Sequence, residues 1–256
     1  MKAIIALLLL LSTLIGCGGY DASVKQPSQY LQNLGNQTVA FVNIYPNGEV
    51  RPFCTGVWIK KDMILTASHC ITSYVEHLNK VKEDDSPEIK NIGAKMHYVF
   101  ENEVAGVSLE PTAIHLAKSF AIDPTHDLGL VKTEGVAVPN HQSVELADAA
   151  PAIGEKLEII GHPHGLYWTY VEGTVSANRT TYPTGVEDKK GPYMQVSAGV
   201  WFGNSGGGAF DSDGKLVGIS SFLIPTSPFD QHSGMPHQGF YIHLDSIKAF
   251  LKKNKI

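Results

Sequence analysis

The sequence predicts an all-β domain in which short antiparallel strands close into barrels. Short apolar or alternating runs follow one another from residue 38 onwards. Clusters of turn-forming residues separate these runs, as in Pro46-Asn47-Gly48 and Asp211-Ser212-Asp213-Gly214. Only two stretches of this region have a helical pattern. Many short strands separated by such turns favour barrels over alternating α/β units.

The individual elements follow from the spacing of the apolar residues. Strands are predicted at residues 38–44, 55–59, 63–67, 128–131, 156–160, 171–176, 193–197, 216–221 and 239–242. One helical stretch is a turn or two after Cys70. The other is residues 244–253, where Leu244, Ile247, Phe250 and Leu251 recur at helical spacing. The charged, proline-containing segment 80–90 is predicted to be an exposed loop.

The N-terminal residues predict a targeting segment. Lys2 supplies a positive charge, residues 3–11 are an unbroken apolar run, and Leu14-Ile15-Gly16-Cys17 resembles a bacterial lipobox. The run is short for a transmembrane helix. We therefore expect a signal peptide at residues 1–16, acylation of Cys17, and a polar lipidated tether at residues 17–37. Ordinary secretion with cleavage nearby is the alternative.

Composition and charge narrow the function classes. The chain is 43% hydrophobic and 18% charged, which is typical of a globular protein. Its net charge of −5 and lack of a basic patch give no reason to expect nucleic-acid binding. His162 and His164 form a His-x-His pair, but no carboxylate or thiol stands at ligand spacing. No metal and no cofactor are expected.

Gly203-Asn204-Ser205-Gly206-Gly207 predicts a nucleophile. A serine in a tight glycine-rich turn can present two backbone N–H groups to one point in space, as an oxyanion hole requires. The N–H groups of Gly203 and Ser205 are the expected donors.

A serine hydroxyl needs a base to remove its proton and a carboxylate to orient that base. His69 lies where the strand 63–67 runs into a turn, and Asp127 lies at the start of the strand 128–131. We predict Ser205 as nucleophile, His69 as general base and Asp127 as the orienting acid. His126 and Asp123 lie close by in sequence but outside these contexts.

Histidine, aspartate and serine in this order and in these motifs resemble the trypsin/chymotrypsin-like serine proteases. The GNSG form of the serine motif resembles the bacterial HtrA-type and glutamyl-endopeptidase-type branch, over roughly residues 38–252. The resemblance implies two six-stranded antiparallel β-barrels, chymotrypsin-like, at about residues 38–133 and 144–243. A C-terminal helix follows at about 244–254, and the active site lies in the cleft between the barrels. No PDZ domain is expected after residue 256.

The resemblance has further implications for single residues. Cys54 and Cys70 flank the strand that leads to His69, where the family commonly has a disulfide; two free thiols are the alternative. HtrA-like chains have a G-x-P-x-G turn at residues 161–165, which favours loop geometry for the His-x-His pair. Asn204 stands where the digestive enzymes have an aspartate that pairs with a new N-terminus after zymogen cleavage, so that switch is expected to be absent.

The resemblance also locates the substrate pocket, between residues 197–202 and the strand 218–223. Gly199 stands where trypsin-like enzymes have a cation-binding aspartate, and Ser220 stands where glutamyl endopeptidases have a histidine. Cleavage after small or medium uncharged residues is therefore expected, unless His232 or His237 folds back to supply a charge. The pocket candidates are Gly199, Phe202, Ser220, Ser221, Phe222 and Leu223.

The predicted function is a serine endopeptidase that acts on proteins or peptides through an acyl-enzyme intermediate. It is expected to be lipid-anchored in a bacterial envelope, with the outer membrane favoured, and to face the periplasm or the exterior. An esterase with the same triad is disfavoured because the G-x-S-x-G elbow and an α/β pattern are missing. The other alternative is a protease-fold lipoprotein that acts as a binding or chaperone module with weak or latent catalysis.

Overall fold

The fold consists of two closed six-stranded β-barrels in which every pair of neighbouring strands is antiparallel. This computed structural model describes residues 28–45, 47–78, 95–99, 114–134, 141–181, 190–227, 230–234 and 238–256. The prediction of an all-β, two-barrel architecture with a C-terminal helix is confirmed.

The first barrel has the strand order β1-β2-β3-β6-β5-β4 and closes where β4 pairs with β1. Its strands are β1 Thr38–Ile44, β2 Val50–Lys60, β3 Met63–Ala67, β4 Lys95–Val99, β5 His115–Asp123 and β6 Leu128–Thr133. Its interior is filled by large apolar side chains, including Phe41, Trp58, Ile64 and Tyr98. Helix α2, Ser68–Leu78, begins directly after β3.

The second barrel has the strand order β10-β11-β14-β9-β8-β7 and closes where β10 pairs with β7. Its strands are β7 Lys156–Gly161, β8 Thr169–Thr181, β9 Lys190–Val196, β10 Gly208–Phe210, β11 Leu216–Phe222 and β14 Gly239–His243. A separate hairpin lies between the last two of these, formed by β12 Pro225–Ser227 and β13 Asp230–Gly234. Another apolar cluster contains residues of both barrels, such as Leu65 and Leu128 of the first and Ile160 and Ile219 of the second.

The C-terminal helix α3, Leu244–Lys253, occupies the predicted residues. Its four predicted apolar residues are buried, at 0–5% exposure. The His243 side chain accepts a hydrogen bond from the Asp245 N–H and so caps the first turn. No helix in the described ranges has both the length and the apolar character that crossing a bilayer requires.

The predicted tether is wrong for residues 29–36, which form helix α1, Gln29–Asn36. Ser28 caps its N-terminus by accepting a hydrogen bond from the Leu31 N–H at 3.3 Å. Leu34 is 1% exposed, and the Tyr30 hydroxyl donates to the Asp211 carbonyl at 3.2 Å. This stretch therefore belongs to the folded domain. The predicted signal peptide, Cys17, the loop at 80–90 and His237 lie outside the described residues.

Candidate active site

His69 and Asp127 form a close pair at one end of the first barrel. His69 Nδ1 lies 2.8 Å from Asp127 Oδ2 and 3.1 Å from Oδ1. The His69 backbone N–H also donates to Asp127 Oδ1, at 3.1 Å. Asp127 is 2% exposed, whereas the His69 side chain is 37% exposed. A buried carboxylate thus holds an accessible imidazole in one orientation.

Adjacent strands bring the two residues together. β3 pairs with β6 so that Ala67 lies opposite Leu128, and His69 and Asp127 follow and precede those strands. The Ser68 N–H donates to the Asp127 carbonyl at 2.9 Å, which continues the β3–β6 pairing by one hydrogen bond. Asp127 has φ of 57°, a left-handed conformation that aspartate adopts more readily than most residues.

The predicted disulfide between Cys54 and Cys70 is present, with Cα atoms 6.0 Å apart. It joins β2 to the first turn of α2, next to His69. The potential ligand atoms of Cys54, His69 and Cys70 lie within 4.8 Å of one another. The two sulfurs are bonded to each other, and the disulfide supports the turn that carries His69.

Ser221, one of the predicted pocket residues, contacts Asp127. Its hydroxyl donates to Asp127 Oδ2, and Ser68 Oγ donates to Oδ1 at 2.9 Å. Both serines are buried. Together with two donors from His69, these hydroxyls give the carboxylate four hydrogen bonds, which is how a buried charge is stabilised.

Ser205 lies beside Ser221, a residue of β11. The Ser205 hydroxyl donates to the Ser221 carbonyl at 3.4 Å. Among the residues that the structure describes, Ser205 Oγ makes no hydrogen bond to His69 Nε2. The Ser205 carbonyl accepts from the Thr55 N–H at 2.8 Å. Ser221 is therefore hydrogen-bonded to both Asp127 and Ser205, one through its side chain and the other through its backbone.

The turn around Ser205 requires glycine on both sides. Gly203 has φ of 102°, and a Cβ there would lie 2.1 Å from the His162 carbonyl oxygen. Gly206 has φ of 84°, and a Cβ there would lie 2.1 Å from Thr66 Oγ1. Any side chain would displace the backbone at both positions.

The predicted oxyanion donors are available. The Gly203 and Ser205 N–H groups have no acceptor among the residues that the structure describes. The Phe202 carbonyl accepts from the His164 N–H at 2.8 Å. Because the C=O and N–H of a trans peptide point in opposite directions, this bond turns the Gly203 N–H away from His164.

The two histidines of the His-x-His pair have different environments. His162 is fully buried, and its Nδ1 accepts from the Trp168 N–H at 3.0 Å. Its Nε2 approaches the Val39 backbone without reaching ordinary hydrogen-bond geometry, and burial lowers the pKa of this imidazole to about 3. His164 is exposed, with its ring 5.7 Å from that of Trp201. His126 pairs with Asp123 at 2.9 Å.

The remaining pocket candidates surround the Ser205 turn. Gly199 and Phe202 lie on its N-terminal side, and Phe202 is 48% exposed. On the other side Ser220 is fully buried, and its hydroxyl has no hydrogen-bond partner in the described structure. The Phe222 ring stacks on Phe240 at 4.8 Å, and Leu223 is half-buried.

The supporting hydroxyls of Ser68 and Ser221 were missed from the sequence. A signal was present in the run Ile219-Ser220-Ser221-Phe222, where two polar residues interrupt a strand that otherwise reads as buried. Buried hydroxyls need partners, so at least one of the two required an acceptor nearby. The sequence does not say which acceptor, because Asp127 is 94 residues away.

Comparisons with known proteins agree with this architecture. The chain is 31% identical over 162 residues to a probable periplasmic serine endoprotease, DegP-like, of Pseudomonas putida. The matched region covers 62% of this chain and 32% of that protein. It is 33% identical over 131 residues to the corresponding protein of Marinomonas, covering 51% and 27%. The chain thus spans about a third of the length of these relatives.

A solved structure shows the same fold. The crystal structure of the serine endoprotease from Yersinia pestis superposes with a TM-score of 0.58 at 21% identity, covering 90% of this chain and 67% of that one. The trypsin-like peptidase domain family matches residues 54–219, which include the histidine turn, Asp127 and the Ser205 turn. The chain therefore belongs to the trypsin-like peptidase domain family.

Proposed function

We propose that this chain is a serine endopeptidase that hydrolyses peptide bonds through His69, Asp127 and Ser205. The observation that carries the proposal is the hydrogen-bonded set around Asp127. Its buried carboxylate holds His69 Nδ1 at 2.8 Å and binds the hydroxyl of Ser221, whose carbonyl holds Ser205 Oγ at 3.4 Å. Ser221 thus links the pair of His69 and Asp127 to Ser205.

The geometry supports a specific order of proton transfers. The Nδ1–H of His69 donates to Asp127, which leaves Nε2 with a free lone pair. Nε2 takes the proton of Ser205 Oγ as that oxygen attacks the carbonyl carbon of the scissile bond. The oxygen of the tetrahedral intermediate accepts from the N–H groups of Gly203 and Ser205. Nε2–H then protonates the leaving amine, and an acyl-enzyme remains.

Deacylation follows the same path in reverse. Water gives a proton to His69 Nε2 and attacks the acyl carbon, and the same two N–H groups stabilise the second intermediate. Nε2 returns the proton to Ser205 Oγ, which releases the acid product. One histidine thus acts as base and as acid in each half-reaction.

One observation favours the alternative of a binding module with latent catalysis. The Ser205 hydroxyl donates to the Ser221 carbonyl, and among the described residues it makes no hydrogen bond to His69. Catalytic hydrogen bonds are often long without substrate, so this orientation is compatible with an active enzyme. Cleavage assays distinguish the two functions.

The finer parts of the proposal concern the substrate and the location. Gly199 and Ser220 carry no charge, so we expect cleavage after small or medium uncharged residues. The DegP-like relatives are named as periplasmic, which supports a place in the cell envelope. The lipobox-like Leu14-Ile15-Gly16-Cys17 supports a lipid anchor.

A peptide library tests the proposal directly. Residues 18–256 should cleave a subset of the peptides, and Ser205→Ala should reduce cleavage by several orders of magnitude while the thermal melting temperature is retained. Wild-type turnover by Ser205→Ala would refute the proposal. No cleavage by either protein, together with binding of unfolded polypeptides by both, would favour the binding-module alternative.

A further inference from the structure

The side chain of Trp201 occupies the space in front of Gly199. A Cβ built on Gly199 would lie 2.9 Å from Trp201 Nε1 and 3.6 Å from both Cδ1 and Cε2. A side chain at position 199 would therefore point at the indole and meet it at once. The space that a residue at 199 could use is taken by the ring of Trp201.

This space is next to the reacting hydroxyl. Residues 198–202 lead directly into the Ser205 turn, where the Asn204 N–H donates to the Trp201 carbonyl at 2.9 Å. On the other side of the turn, β11 reaches Ser205 through the Ser221 carbonyl. As the resemblance to trypsin-like proteases implies, a substrate whose scissile carbonyl lies on Ser205 Oγ places its preceding side chain between these two walls. Trp201 belongs to one of them.

The turn that orients the oxyanion peptide also contacts Trp201. The backbone N–H of His164 holds the Phe202 carbonyl at 2.8 Å, while its ring lies 5.7 Å from the indole at an interplanar angle of 47°. His164 has φ of 50°, a left-handed conformation for a non-glycine residue. The indole thus contacts the His164 ring. It is 40% exposed, so part of its surface remains available to a substrate.

The wall beyond Gly199 is also filled. Val200 is 4% exposed, and its Cγ2 would lie 2.3 Å from a Cβ on Gly239, the first residue of β14. The Val200 side chain therefore fills the space that the missing side chain of Gly239 leaves. With Val200 packed against β14 and Trp201 in front of Gly199, little depth remains on this side of the pocket.

We propose that the indole of Trp201 forms the base of the pocket for the residue before the scissile bond and restricts that residue to small side chains. This inference rests on the proposed endopeptidase function and narrows its substrate class to alanine-sized or valine-sized residues. Gly199 contributes no side chain to the pocket, because only its hydrogen atom lies behind the ring. A larger side chain would have to displace the indole from its contacts with Gly199 and His164.

The test compares kcat/KM for peptides that differ only in the residue before the cut: Ala, Val, Leu or Phe. The wild-type protein should favour Ala and Val. Trp201→Ala should raise the Leu-to-Ala ratio of kcat/KM by at least about tenfold, since one or two accommodated methylenes are worth that much in an apolar pocket. Trp201→Phe, which removes less volume, should shift the ratio in the same direction by less. Ile153→Ala removes another exposed apolar side chain, 65% exposed in the turn before β7, and should leave the ratio unchanged.

The outcomes separate this inference from the function on which it rests. If Ser205→Ala abolishes cleavage but neither Trp201 variant changes the Leu-to-Ala ratio, the base of the pocket lies elsewhere and the inference is wrong. If the wild-type protein cleaves none of the peptides, the proposed function itself fails, and the inference with it. Thermal melting establishes that each variant is folded. If Trp201→Ala is unfolded, the smaller shift expected for Trp201→Phe decides.

Discussion

Acid should destabilise this protein through His162, a buried histidine that holds no charge. The imidazole is fully buried, accepts a hydrogen bond from the Trp168 N–H, and packs edge-on against the Trp168 ring at 5.1 Å. Burial lowers its pKa to about 3, from an ordinary value of 6.5. The folded state therefore keeps His162 neutral at a pH where the unfolded chain binds a proton.

The sign and size of the effect follow from the two pKa values. Stability is fully present above pH 6.5 and is lost as the pH falls towards 3, because only the unfolded state gains a proton in that window. At 1.36 kcal/mol for each pH unit, the loss between pH 7 and pH 5 is about 2 kcal/mol. The carbonyl of His162 also contacts Gly203, so the Ser205 turn lies close to this histidine.

Urea unfolding of the wild-type protein and of His162→Asn, at pH 7 and pH 5, measures this loss. The asparagine oxygen can still accept from the Trp168 N–H but does not titrate. Each protein is compared with itself, so a general loss of stability in the variant cancels, and the other histidines contribute equally to both. The wild-type free energy of unfolding should fall by about 2 kcal/mol more than that of the variant. Equal losses in the two proteins would show that His162 does not cause the loss of stability in acid.

Three further predictions concern single contacts. Ser221→Ala removes a donor to the buried Asp127 carboxylate and should lower the free energy of unfolding by about 1.5–3 kcal/mol and kcat/KM by roughly tenfold. Ser220→Ala removes a hydroxyl without a partner and should not lower stability. Equal losses in the two variants would show that the Ser221 hydroxyl does not stabilise Asp127. Replacing both Cys54 and Cys70 by alanine opens a loop with a sequence separation of 16 and should cost about 3 kcal/mol by urea unfolding, whereas an unchanged midpoint would show that the bridge contributes nothing. Cys17→Ser should release the protein from membrane fractions, and mass spectrometry that finds an unmodified mature N-terminus in the wild-type protein would exclude the anchor.

The strands that were predicted are those whose large side chains point inward. β5 was missed because its pattern is inverted: Ala117 and Ser119 point into the barrel, while Leu116 and Phe120 are 38% and 43% exposed. An alternation of small and large residues does not reveal which face is buried. β10 was missed for a different reason, since three residues carry no period.

The sequence predicts a tether where helix α1 lies because the helix has only eight residues, too few to sustain a helical period. Its position depends on distant contacts: the hydrogen bond from Tyr30 to Asp211 spans 181 residues, and the Leu34 side chain lies against Gly214. For short helices, tertiary packing outweighs local propensity. The histidine and serine turns were predictable because each combines a motif with a local geometry that few residues permit. The hydroxyls on Asp127 were not, because they come from residues far apart in the chain.

Reaction with an organophosphonate tests whether Ser205, His69 and Asp127 act as one unit. Such a reagent mimics the tetrahedral intermediate and modifies a serine only when a base activates it and an oxyanion hole receives the oxygen. Mass spectrometry of the treated wild-type protein should find one adduct, on Ser205, and His69→Ala should form it at least about 10³-fold more slowly. Absence of the adduct, or labelling of Ser205 at the same rate in His69→Ala, would show that the three residues do not form a catalytic unit.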